Sequence, residues 1–232
     1  MSTIQQIRTA PRSDLRSSTR LLAAVLLPVG PACVALLRYL LPYQTTDDGP
    51  AAIAAIAAHP DRQAVCVWLG LVATLTLVPA VLWVGRLTRR HAPKLTAAAL
   101  LLLVPGYLSI ALLVSTDAMA WYGVHEGVDS RVLADLFTHG HPITYVAAGV
   151  FVVGHVLGTV LLGLALWRSG VVPRWVAVAT IAAQPLHFVA AVVVGSPTLD
   201  LVAWGLNAVA FAACSVAVLR LSDDEWDLAP AA

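Results

Sequence analysis

Residues 143–167 read ITYVAAGVFVVGHVLGTVLLGLALW. After the basic turn 168–174 the chain returns as WVAVATIAAQPLHFVAAVVVGS over 175–196. Each run is as long as the roughly 20 apolar residues that a helix needs to cross the hydrocarbon core. Neither alternates apolar and polar residues as a lipid-facing strand must, so a β-barrel is excluded. Only helices satisfy their own backbone groups in lipid, so this is a transmembrane helical hairpin. Four more runs of the same kind occupy 21–43, 64–85, 95–116 and 201–221, which makes an all-α protein of six transmembrane helices.

Composition agrees. In the 232 residues the apolar set reaches 59%, charged residues make up 12%, and the mean hydropathy is +0.82. A soluble domain carries about 25% charged residues, so a soluble globule is excluded. A nucleic-acid binder would need a basic stripe, and the net charge is only +1. The first apolar run is too long for the core of a signal peptide and no small-residue cleavage pattern follows it, so it is read as a retained helix. The expected organisation is a basic arm over 1–19, a membrane domain over 20–221 and an acidic tail over 222–232, the tail expected to be disordered.

Orientation follows from the cations, which stay on the cytoplasmic side. With the N-terminus inside, Arg8, Arg12, Arg16, Arg20, Arg86, Arg89, Arg90, Lys94, Arg168, Arg174 and Arg220 fall on the inner side, against Arg38, Arg62 and Arg131 on the outer side. Both termini are therefore expected in the cytoplasm. Two outer segments read as short interfacial helices. One follows Asp48-Gly-Pro, a cap and first-turn signal. The other runs over 129–137, where Val132, Leu133, Leu136 and Phe137 share a face.

The three outward-running helices carry a common mark. Pro31, Pro105 and Pro185 each lie eleven residues after a cation (Arg20, Lys94, Arg174), roughly 16 Å into the membrane. Proline removes one backbone bond and bends a helix, so these three are expected to be kinked, with a midplane cavity as one consequence.

Polar groups at depth are few. His155 and His187 lie sixteen residues before and after residue 171, the centre of the hairpin turn, so both are expected at one depth. Gln184 shares a face with His187, Asn207 sits in the sixth helix, and Arg38 lies near the outer end of the first. Ionisable groups in the core usually face the bundle interior. The cluster reads in three ways: neutral imidazoles bonded to Gln184 and Asn207, a ligand or proton site in an outward-opening cavity, or two axial ligands of haem b. Arg38 can snorkel, pair with Asp117 or Asp200, or capture an anion at the cavity mouth.

In the longest outer loop, His125, His139 and His141 stand among carboxylates and are candidate zinc ligands, although no HExxH is present. Cys33, Cys66 and Cys214 form no spaced framework and read as packing residues. Gly154 and Gly158 flank His155 with small-residue spacing, a candidate contact for a homo-oligomer through the fourth helix.

The segments LLRYLLPYQTTDD, WLGLVATLTLVP, FVVGHVLGTVLLGLALWR and QPLHFVAAVVVGS resemble six-helix integral membrane proteins of high-GC actinobacteria that have no assigned activity. The resemblance spans about residues 20–220. It implies a bacterial plasma membrane and transfers no catalytic residue.

The leading expectation is a module that binds or moves a small, mostly apolar molecule or lipid through an outward-opening cavity. Its lining would be His155, Gln184, His187, Asn207 and Arg38, and no cofactor is expected. The rivals are a membrane enzyme, using the histidine pair for redox chemistry or the loop for metal-dependent hydrolysis, and a structural or regulatory partner without ligand.

Overall fold

A computed structural model describes residues 14–227. Among them the helices are α1 (Arg16–Leu26), α2 (Val29–Leu40), α3 (Gly49–Ala58), α4 (Pro60–Thr88), α5 (Pro93–His125), α6 (Ser130–Thr138), α7 (Ile143–Ser169), α8 (Arg174–Phe188), α9 (Pro197–Leu219) and α10 (Asp223–Trp226). A π-helical turn, Val189–Val194, prolongs α8. No strand occurs among the described residues. Six helices, counting α1 with α2 and α8 with its π turn, are long and apolar enough to cross a membrane.

The six spans pack as a ring in chain order, and α9 closes it against α2. The short connections after α4, α7 and the π turn set neighbours directly, because a helix leaving a tight turn meets its predecessor first, while α3 and α6 lie in the two longer connections. The turn after α7 uses Gly170 at φ 63°, a conformation that glycine adopts without strain. The tightest seam joins α5 to α7. A Cβ added at Gly154 would lie 2.6 Å from the Leu102 carbonyl oxygen and 2.9 Å from the Gly106 Cα. The small-residue step of the fourth span is therefore filled within the chain, by α5.

The prolines act unequally. In the first span the helix breaks between Leu26 and Val29, at Pro28, three residues before the expected kink at Pro31. Pro105 lies inside the unbroken α5, whereas Pro185 is followed within one turn by the π segment. Pro79 places an internal proline in α4 as well, an inward-running span.

Three segments differ from the sequence expectation. First, α5 does not stop at Thr116 but runs to His125, roughly two and a half further turns, so much of the expected long loop is helix. Second, α3 and α6 form as expected, with Asp48 and Asp129 as caps, but they pack on each other and on the α5 extension. Ile53, Ile56, Ala120, Leu133 and Ala134 make a second small core there. Third, the tail is ordered through Asp227. Ser222 and Glu225 form a reciprocal capping box, and Trp226 is 1% exposed. Its indole N–H donates to Thr19 Oγ1 at 3.1 Å, and the Arg86 guanidinium lies 4.8 Å over its ring. Arg20 pairs with Asp223, Arg16 with Asp224 and Arg86 with Asp227. Acidic composition suggested disorder; the tail's charges instead meet the cations of the first two spans. Of the expected basic arm, residues 1–13 lie outside the described residues.

Candidate functional site

Arg38 stands in the last turn of α2, and its Nε donates to Asp200 Oδ2 at 2.6 Å. Its Nη2 donates to Thr45 Oγ1 at 2.6 Å. Asp200 sits in the first turn of α9, where the helix dipole favours a carboxylate, and is 1% exposed. Its other oxygen, Oδ1, meets His187 Nδ1 at 2.5 Å. The sequence reading offered Asp200 as one of two partners for Arg38. It missed that the same carboxylate also holds His187.

His155 lies on α7 opposite this triad. Its Nδ1 contacts the carbonyl oxygen of Phe151, one turn earlier, at 2.6 Å. Its ring stacks on Phe151 at 4.1 Å and faces Trp204 at 6.0 Å, both at interplanar angles of 18°. The two imidazole centroids are 5.3 Å apart, and Trp204 is edge-on to His187 at 5.5 Å. Trp204 and Phe151 were not foreseen as site residues. Their signal was the helical spacing from Asp200 to Trp204 and from Phe151 to His155.

Arg38, Phe151, His155, His187 and Trp204 border a cavity of about 570 Å³. It reaches from the histidines to the end of the bundle covered by α3 and α6, and its walls come from α2, α5, α7, α8, the π turn and α9. Most of the lining is apolar, including Leu37, Val114 and Val152, with Arg38, Asp117, His155 and His187 as polar points. Asp117 accepts a hydrogen bond from the Tyr43 hydroxyl at 2.5 Å. Burial and the adjacent Asp117 push the Tyr43 hydroxyl well above its ordinary pKa, so it remains a donor.

Two expected lining residues are elsewhere. Gln184 and Asn207 are fully buried and border no part of this cavity, and their amide groups have no hydrogen-bond partner among the described residues. The three loop histidines are separated. His125 stacks on Trp121, His139 contacts Asp135, and His141 Nδ1 accepts from the Ile143 amide. No group of three or more histidines, cysteines or carboxylates among the described residues is placed to hold a metal ion. The three cysteines are free.

Residues 21–221 match the family model described as Domain of unknown function (DUF4386). The chain belongs to this family. No curated protein and no solved structure matches it. Apart from the first five residues of α1, the DUF4386 match takes in all six spans, both capping helices and every residue of the Arg38–Asp200–His187 triad, while α10 and Trp226 lie beyond it.

Proposed function

We propose that this DUF4386 protein binds a small, mostly apolar molecule in the cavity beside His155 and His187. One observation carries the reading: a void of about 570 Å³, apolar over most of its wall, with a few polar groups converging at its floor. That is the usual form of a small-molecule site. The neutral Arg38–Asp200 pair and the oriented His187 fix a polar end, while the aliphatic and aromatic wall suits a hydrocarbon body.

The positive-inside bias supports placing both termini in the cytoplasm of a bacterial plasma membrane, with the cavity opening to the opposite side. A ligand would then enter from the exterior or from the outer leaflet, between the α3–α6 cap and the ends of α7 and α8.

The test uses purified full-length protein in lipid nanodiscs and a bromoalkane, whose bromine quenches tryptophan fluorescence. Trp204 lines the cavity, so the quenching lost in Trp204→Phe reports occupancy. Ala148 also lines it. The expected result is saturable quenching of Trp204 that Ala148→Trp abolishes with the protein still folded. Quenching that rises linearly with probe and is the same in Ala148→Trp would show that the probe meets the protein only from the lipid phase, and would overturn the reading.

A further inference from the structure

Both imidazoles are fixed in one tautomer by partners that can only accept. The Asp200 carboxylate has no hydrogen to give, so Nδ1 of His187 must donate to it. The Phe151 carbonyl imposes the same on Nδ1 of His155. In a neutral imidazole the second nitrogen is then a bare acceptor. Arg38 already balances the charge of Asp200.

One of these acceptors is buried and unmet, and the other carries no hydrogen bond among the described residues. Nε2 of His155 is buried without a partner although the residue, 1% exposed, borders the cavity. Only Nδ1 of His187 is engaged among the described residues, and this ring borders the same cavity. A buried acceptor left unmet costs about 1–3 kcal/mol. The cavity floor therefore offers imidazole lone pairs that call for hydrogen-bond donors; the unmet donor beside them, the buried Trp204 indole N–H, suits a head group that can also accept, as a hydroxyl does. Its charged lining points the same way: Asp47, Asp48 and Asp117 stand against Arg38 alone, and Arg38 is already paired.

We infer that the ligand is an amphiphile whose head group donates hydrogen bonds and carries no negative charge, an alcohol or an ammonium rather than a carboxylate, phosphate or ether. This deepens the binding reading above and rests on it. The apolar body would occupy the aliphatic wall, and the head would reach Nε2 of His187 or His155.

The experiment compares ω-bromododecanol, its methyl ether, ω-bromododecylamine and ω-bromododecanoate by Trp204-dependent quenching in nanodiscs of zwitterionic lipid. The alcohol is expected to bind about tenfold more tightly than its ether, the value of one hydrogen bond whose loss leaves a buried acceptor unmet. Binding of the amine at least as tight as that of the alcohol also supports the inference and assigns the ammonium source. Equal affinity for alcohol and ether, or tighter binding of the carboxylate, overturns it and leaves the binding reading standing. Failure of all four probes removes the binding reading, and the inference with it.

Asp200→Asn adds a second arm. A carboxamide can donate to Nδ1 and so release the other tautomer, and the preference for alcohol over ether is expected to vanish in this variant. Retention of the full tenfold preference there would refute the role given to Asp200. Because that variant also leaves Arg38 without its carboxylate, ¹⁵N spectra of histidine-labelled wild-type protein give an independent check. Protonated Nδ1 and bare Nε2 are expected for both His155 and His187, and the opposite tautomer for both would overturn the inference.

Discussion

At the basic end of the bundle, Trp226 is 1% exposed, its indole N–H is given to Thr19, and the Arg86 guanidinium covers its ring at 4.8 Å. At the other end, His155, Trp204 and Asn207 keep buried polar atoms without partners, in or near the wall of a cavity of about 570 Å³. The basic end is packed, although Arg86 Nε there is also buried without a hydrogen-bond partner among the described residues; the other end joins unmet donors and acceptors to a void. Unmet buried groups and empty space both cost stability, so their coincidence at one end marks where the fold gives up stability. Sites of function are where such concessions are found.

The contrast is broken most severely at the one strongly paired point of the cavity end. Asp200→Leu leaves the Arg38 guanidinium part-buried beside an apolar side chain and frees His187 from its anchor. Removing one partner of a buried pair costs about 3–5 kcal/mol. The expected loss is about 4 kcal/mol, read from the midpoint of SDS unfolding in mixed micelles. The double variant Arg38→Met with Asp200→Leu is expected to recover at least half of it, because no charge is then left alone. If the double variant is as unstable as the single one, the damage comes from packing around α9 and not from the orphaned charge.

A somewhat smaller effect tests the basic end. Trp226→Ala removes the buried ring that holds α10 against α1 and α4. Large aromatic truncations cost about 3–5 kcal/mol, and the lower figure is expected here because a single short helix loses its seat. The exposed ion pairs around it contribute little in comparison. Proteolysis is therefore expected to clip the chain after Leu219 in this variant while the six-helix core stays intact. Unfolding of the whole bundle would show that the tail is integral to the ring.

Much of this architecture was legible in the sequence. Apolar length gave six spans, and the turn at residue 171 put His155 and His187 at one depth, where their rings are 5.3 Å apart. Depth, however, says nothing about which face a residue presents. Gln184 and Asn207 are as deep as the histidines but point into packed interior instead of the cavity. The contact of Asp200 with His187 was hidden for a different reason. The π turn Val189–Val194 and Gly195 at φ 65° lie between them, and neither follows the 3.6-residue period on which face assignments rest. In the tail, composition misled because SDDEWD is acidic; the positional signal was Ser222 three residues before Glu225, with Trp226 next to it. The reach of α5 past Thr116 was hidden because a helix can continue beyond the end of its apolar run.

Asn207 gives the mildest and most discriminating test of the comparison. Its side chain is fully buried in α9, one turn beyond Trp204, and both amide atoms lack partners. If the region served stability alone, an apolar residue of similar size would fit it better, because replacing an unsatisfied amide removes a desolvation penalty of about 1–3 kcal/mol. Asn207→Leu is therefore expected to leave stability unchanged or to raise it by about 1 kcal/mol, in contrast to Trp226→Ala at the basic end. Gln184→Leu is expected to behave in the same way, and the two effects should add only if the amides do not contact each other. Destabilisation by more than about 1 kcal/mol in Asn207→Leu would mean that the amide is satisfied in the membrane, by water or by a bound molecule. The floor of the cavity would then reach deeper than its present lining, and binding of ω-bromododecanol in that variant should fall together with stability.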